Sequence, residues 1–177
     1  MNFTEQRVSG CFLIEHELYE DDRGVFKRSF CSKVFGDNDI DFTVKQANIS
    51  ENKNKYTLRG FHYQSGNSKE AKILSCISGS IYNVVIDIRQ NSKTYKQSFS
   101  IELNEKNRFS LYVPSGCANA YLTLKKNTVV NYLMGDYYDP SSYSGFRYND
   151  PAFNIKWPAC PKFISDKDLN HPNYDEK

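Results

Sequence analysis

The sequence predicts an all-β protein, a sandwich or barrel of many short antiparallel strands. Three observations carry that reading. Apolar and polar residues alternate with period two in run after run, as half-buried strands require. Turn residues interrupt those runs about every eight to twelve residues, the spacing of sandwiches and barrels. The chain is also rich in strand-favouring aromatics, with 13 Tyr and 12 Phe among 177 residues.

Taken in order, residues 10–15 (GCFLIE) read as a short apolar strand that 16–20 continues with mixed polarity. Residues 21–24 turn the chain, and 25–30 (VFKRSF) alternate. Residues 31–37 suit one or two helical turns. Residues 43–50 alternate, 52–55 form a polar connection, and 57–64 alternate again. From Ala71 the strand pattern is nearly continuous. Ile73, Ser75 and Ile77 precede Gly79, and 81–89 (IYNVVIDIR) is the strongest β-branched run. Residues 95–103, 108–113, 117–124 and 129–134 complete the set, broken at Asn91-Ser92, at 104–107 and at Pro114. From Tyr137 the tail is rich in Tyr, Pro, Asp and Asn, and Ser165 with the acids after it suits the cap of a short helical turn. The length suits one domain over residues 1–177.

Charge narrows the partners. With 23 basic and 21 acidic residues interspersed, the net charge of +2 offers no basic block for a nucleic-acid backbone. No apolar run approaches the length of a membrane span, and the N-terminus lacks the pattern of a signal peptide. The five cysteines, Cys11, Cys31, Cys76, Cys117 and Cys160, form no C-x-x-C pair. Scattered thiols in such a chain fit a reducing cytoplasm.

The chemistry concentrates in residues 46–64, QANISENKNKYTLRGFHYQ. His62 is one of three histidines in the chain and sits in a dense polar and aromatic run. Histidine is the default proton carrier near neutral pH, although a lone one is more often structural. Around it, Arg59 can hold an anion in bidentate fashion, Gly60 permits a tight backbone, and Tyr63 and Gln64 supply polar tips.

A series of motifs runs in order along the chain: Asp21-x-Arg23-Gly24-x-Phe26, Gln46-x-Asn48-x-Ser50, Thr57-Leu58-Arg59-Gly60-x-His62-Tyr63-Gln64 and Lys72. Gly79, Val85-x-Asp87-x-Arg89, Ser92, Pro114-x-Gly116, Tyr132 and Tyr137-Tyr138-x-Pro140 follow. Asn149-Asp150-Pro151, Trp157-Pro158 and Ser165-x-Lys167-Asp168 end it. Together they resemble the dTDP-4-dehydrorhamnose 3,5-epimerase family. The resemblance implies a double-stranded β-helix, a jelly roll of the cupin type, working as a homodimer on a nucleotide-linked 4-keto sugar. It implies His62 as base with Asp168 holding its imidazole, Lys72 and Arg59 as positive charge for the developing enolate, and Tyr132 as the acid on the opposite face. Arg23, Phe26, Gln46 and Asn48 match nucleotide-binding positions. Before the resemblance is considered, Tyr132 would be a packing tyrosine, Asp168 a capping acid, and Lys72 the partner of Glu70 in a surface pair.

No cofactor and no metal is expected, because the chain has neither the His-x-His of metal-dependent cupins nor a Gly-rich dinucleotide loop. Four residues depart from the family pattern. Asn119 stands where Gly-x-x-His-Gly-Phe places a histidine, and an amide carries neither proton nor charge, so epimerisation at C3 alone is expected. Arg28 replaces a glutamate and suits the acceptor edge of guanine, which brings GDP-linked sugars in beside dTDP-linked ones. Tyr143 and Tyr148 replace a glutamate and a tryptophan near Tyr138, where the sugar's outer substituents would be read, so a heptose fits as well as a 6-deoxyhexose. The rival readings are a sugar-nucleotide 3,4-ketoisomerase and a non-catalytic sugar-nucleotide-binding homologue.

Overall fold

A computed structural model of the chain describes residues 1–66 and 68–174. The expected domain over residues 1–177 extends in addition over Asn67 and 175–177, which lie outside the described residues. The fold is a double-stranded β-helix, as expected. A six-stranded antiparallel sheet holds β1 (Asn2–Glu5), β2 (Phe12–Glu15), β10 (Ser110–Val113), β7 (Lys72–Ser78), β12 (Thr128–Met134) and β5 (Gln46–Asn52), in that spatial order. A five-stranded sheet holds β13 (Tyr143–Gly145), β6 (Leu58–Gln64), β11 (Cys117–Thr123), β8 (Ser80–Asp87) and β9 (Ser98–Asn104). A separate hairpin pairs β3 (Leu18–Asp21) with β4 (Gly24–Lys27). Two short helices, α1 (Ser32–Gly36) and α2 (Asp166–Leu169), complete the elements. Among the described residues no helix is long and apolar enough to cross a membrane.

The two large sheets face each other over one apolar core. Leu74, Val130 and Leu111 come from the six-stranded sheet, and Ile81, Val85, Leu103 and Tyr121 from the five-stranded sheet. Period-two geometry sends the intervening residues outward, yet many of these are buried too. Val84 and Ile86 of β8, with Ala118 and Ala120 of β11, lie under Phe146, Phe153 and Trp157 of the C-terminal tail. Ile73 and Tyr112, on the outer face of the other sheet, lie under Phe35 of α1 and Phe42. That double cover explains why residues 81–89 read as a nearly unbroken apolar run, as in sheets buried on both faces.

Several boundaries differ from the expectation. The strand expected over residues 10–20 divides, because His16 leaves the ladder to hydrogen-bond the Arg28 carbonyl through Nδ1 (3.0 Å) and Ser110 Oγ through Nε2 (2.7 Å). β9 starts at Ser98 because the preceding turn is held to Asp87, whose Oδ2 accepts from Ser92 Oγ and Thr94 Oγ1 at 2.6 Å each. β1 and β13 carry no alternation that marks them as strands. The expected helical turn after Ser165 forms, with Ser165 Oγ accepting from the Asp168 amide at 3.1 Å.

Candidate active site

A cavity of about 500 Å³ opens between the two sheets, within the range of small-molecule sites. Gln46, Asn48 and Ser50 line it from alternate positions of β5, and Tyr132 and Met134 from β12. Across from them stand Arg59 and His62 of β6 and Asn119 and Tyr121 of β11. Strand alternation should separate Arg59 from His62, three residues apart, onto opposite faces. A bulge prevents this. Along β6, Arg59 pairs with Tyr121 and His62 with Asn119, so three steps on β6 match two on β11. The extra residue throws Phe61 outward to stack on Phe146, with centroids 5.0 Å apart, and leaves Arg59 and His62 both facing the cavity. Gly60 is required in the bulge. Its φ is +110°, and a Cβ there would lie 2.5 Å from the Asn119 carbonyl oxygen.

The C-terminal tail delivers Asp168. It runs alongside the start of β6, where the Leu58 amide donates to the Phe163 carbonyl at 2.9 Å, and then turns into α2. Asp168 is buried there. Its Oδ1 accepts from His62 Nε2 at 2.7 Å and its Oδ2 from the Gly60 amide at 3.2 Å. Burial pushes the Asp168 carboxyl up, but the hydrogen bonds and charge of His62 and Gly60 outweigh it and hold it below the usual carboxylate range. With Asp168 ionised, His62 carries its proton on Nε2 as donor and keeps Nδ1 as the free basic nitrogen.

Lys72 sits at the other wall. It is not the surface residue that Glu70 as a neighbour suggested: Lys72 and Glu70 are both buried, joined at 2.7 Å, and both line the cavity. Gln64 Nε2 donates to the second Glu70 oxygen at 2.8 Å. Tyr132 is half-buried. Burial, then the neighbouring Tyr121, raises its phenol well above the usual value, against the opposing charge of Arg59. It therefore keeps its proton at neutral pH. Asn119 is buried and spends both amide hydrogens on the protein, donating to Asn83 Oδ1 (3.0 Å) and the Val84 carbonyl (2.9 Å). Only its oxygen is left for a ligand.

Tyr138 and Tyr143 close the rim, their rings 5.6 Å apart, with Tyr143 5.3 Å from the His62 ring. Lys167 Nζ lies 3.7 Å above the Tyr143 ring. Tyr148 does not line the cavity, and its carbonyl instead accepts from Trp157 Nε1. Arg23, Phe26 and Arg28 are not brought to the cavity either. Arg23 pairs with Asp21 on the exposed hairpin, and Phe26 and Arg28 line a separate shallow groove. Conversely, Tyr121, Glu70 and Met134 line the cavity without having been expected there. The alternation that carries Asn119 inward also carries Tyr121, and that signal was present in the sequence.

Among the described residues one group has ligand-like spacing for a metal: His62, Asp168 and His171, within 4.8 Å of one another. The His62–Asp168 contact is already a complete hydrogen bond at 2.7 Å. His171 packs its buried Nε2 against Gly145 without a hydrogen-bond partner. Burial, then His62, pushes its imidazole below the usual value.

Residues 5–176 match the family profile of dTDP-4-dehydrorhamnose 3,5-epimerase. The dTDP-4-dehydrorhamnose 3,5-epimerase of Methanothermobacter thermautotrophicus is 33% identical over 171 residues, covering 95% of this chain and 91% of that protein. The crystal structure of the Bacillus anthracis enzyme of that name, with TDP and pyrophosphate bound, superposes with a TM-score of 0.94 at 33% identity, covering 98% and 99% of the two chains. A 3'-monoepimerase from Streptomyces bikiniensis, in complex with dTDP-quinovose, has a TM-score of 0.87 at 27% identity, covering 94% and 84%. The chain belongs to the dTDP-4-dehydrorhamnose 3,5-epimerase family, and its class of enzyme is that of the sugar epimerases, an isomerase class.

Proposed function

We propose, with membership of that family as the premise, that this chain epimerises a nucleotide-linked 4-keto sugar by proton transfer alone. One observation carries the reading. His62, held by Asp168, comes from the five-stranded sheet, and the protonated Tyr132 comes from the facing six-stranded sheet, so the cavity has a base on one side and an acid on the other. The C4 ketone delocalises the charge left when a neighbouring carbon loses its proton. His62 Nδ1 takes that proton, and Lys72 and Arg59 place positive charge where the enolate oxygen develops. Tyr132 returns a proton to the opposite face of the ring, and the configuration inverts. Because a ketone-activated C–H needs only a base and an acid, the reaction calls for no cofactor.

Two finer points belong to the same proposal. Asn119, with its hydrogens committed to Asn83 and Val84, offers the sugar an acceptor in place of a proton carrier, which supports epimerisation at C3 alone. The fold supports such an outcome in the 3'-monoepimerase from Streptomyces bikiniensis. The β3–β4 hairpin leaves Leu18, Tyr19, Val25 and Phe26 exposed, an apolar surface that suits burial against a second copy. A homodimer would then supply Arg23, Phe26 and Arg28 to the nucleotide end of a neighbouring cavity.

The test is deuterium incorporation from heavy water into dTDP- and GDP-linked 4-keto sugars, hexose and heptose, with His62→Ala alongside. One deuterium at an inverted C3, absent in His62→Ala, is the expected result. Deuterium at both C3 and C5 sinks the single-centre reading, a migrated carbonyl identifies a 3,4-ketoisomerase, and no uptake across the panel overturns the enzymatic reading.

A further inference from the structure

We propose that Glu70 is a positioning residue, fixing the Lys72 ammonium at the cavity wall where the enolate oxygen develops. The inference rests on the reading of Lys72 as positive charge for that oxygen. Lys72 opens β7 and pairs with Val113 and Met134, so its backbone is held between two strands. Alternation along β7 sends it inward with Leu74 and Cys76, which join the apolar core. An ammonium on that face needs a counter-charge, and Glu70 supplies it at 2.7 Å, with both side chains only 8% exposed. The carboxylate is anchored in turn. Its other oxygen accepts from Gln64 Nε2 at 2.8 Å, and the Glu70 amide donates to Ser68 Oγ at 3.2 Å. Gln64 is itself fixed end for end: its Oε1 accepts from the Asp139 amide at 2.7 Å, and its Nε2 also donates to the Tyr137 carbonyl at 3.1 Å.

Stability alone gives no reason for this chain of contacts. Two charges taken out of water lose about as much as their attraction returns, and apolar side chains of similar size would hold the fold as well. The pair instead lies where a ligand would meet it, since Glu70 and Lys72 both line the cavity. Lysine carries its charge on a flexible stem, and an untethered ammonium would sample several positions. The tether narrows these and leaves the hydrogens not turned to Glu70 for an oxygen of the substrate. Glu70 also opposes negative charge on that oxygen. Coulomb energy falls with distance, and an oxygen on the far side of Nζ is nearer the ammonium than the carboxylate, so attraction prevails. A cation already in place needs no reorganisation when charge moves onto the ketone.

Glu70→Gln keeps the shape of the side chain and removes its charge. The experiment measures C3 hydrogen washout from a dTDP-linked 4-keto-6-deoxyhexose in heavy water, per folded protein, in wild type, Glu70→Gln, Lys72→Met and the double variant. Glu70→Gln should lower kcat at least about tenfold, the factor for one hydrogen bond to a charged group, with KM within about twofold of wild type. Because Glu70 acts through Lys72, adding Glu70→Gln to Lys72→Met should change kcat by less than about twofold. A pair that serves the fold alone would move the melting temperature and leave kcat per folded protein where it was. An unchanged or faster kcat in Glu70→Gln, a loss confined to KM, or the same fall in both backgrounds overturns the proposal. If Glu70→Gln melts before assay, Glu70→Asp decides, because it keeps the charge and shortens the reach by a methylene. Its kcat should fall in the same way, and a value within about twofold of wild type overturns the proposal equally. Lys72→Met washing out as fast as wild type removes the Lys72 reading itself, a result distinct from these.

Discussion

Replacing Asp168 by asparagine isolates what the carboxylate does for the base. The side chain keeps its volume, the Asp168 amide keeps its cap on Ser165, and the amide oxygen can still accept from Gly60. What goes is the charge facing His62 at 2.7 Å. In the wild type that charge meets an imidazolium once His62 has taken the substrate proton. A hydrogen bond to a charged partner is worth about 1.5–3 kcal/mol, or roughly 10- to 150-fold in rate. A second loss follows from geometry. The asparagine NH2 can turn to His62 Nε2 and force the proton onto Nδ1, the nitrogen that must be empty to act as base, and this wrong tautomer carries the total towards roughly 10⁴-fold. The assay is single-turnover C3 proton exchange, with a thermal melt on the same preparation. Asp168→Asn within about threefold of wild type refutes the assignment, as does a loss of exchange matched by a loss of folded protein.

Other perturbations give further outcomes. Lys72→Met strands Glu70 in a buried site and should cost about 3–5 kcal/mol of stability. Adding Glu70→Gln should restore the melting temperature without restoring turnover, and recovery of both would remove Lys72 from the chemistry. Burial, followed by the charge of Lys27, lowers the His16 pKa to about 4 from 6.5, so the unfolded chain binds this proton first as the pH falls. Stability should therefore drop between about pH 6.5 and pH 4 and then level off. The difference amounts to about 1–2 kcal/mol after discounting for partial exposure. Urea melts of wild type and His16→Gln across that window check it, and curves that stay parallel speak against it. Tyr19→Ser with Phe26→Ser should shift the sedimentation coefficient from dimer to monomer, whereas an unchanged value would place the self-association elsewhere.

The strands were legible where one or both faces are apolar, as in residues 81–89 and 117–124. They were not legible where pairing alone makes the strand. β13 is three residues long and extended because its register with β6 holds it, with no propensity of its own to announce it. The site was legible in its parts through the resemblance of the motifs to the family: His62, Lys72, Tyr132 and Asn119 all reach one cavity. Its assembly was hidden, because the bulge that turns Arg59 and His62 to one side cancels the alternation from which sidedness is read. The inward place of Tyr121 was readable, but not what its hydroxyl does. It obeys the alternation, and a tyrosine on an inward strand position looks like packing until its hydroxyl is followed to Ser50 and Asn52.

His62 and Tyr132 ride on strands that never hydrogen-bond to each other, since β6 and β12 belong to different sheets. The gap a sugar ring must bridge is therefore gauged by the apolar filling between the sheets, by Val130, Val85 and Leu74 among others. Face-to-face sheets stand about 10 Å apart, and a close-packed interior transmits even a methylene added or removed in that filling. Residues that never touch the sugar thus act as its callipers. A lineage can move to a bulkier or slimmer ring by repacking aliphatic side chains, with base and acid left untouched, and comparisons of wall residues alone would miss where that specificity is written.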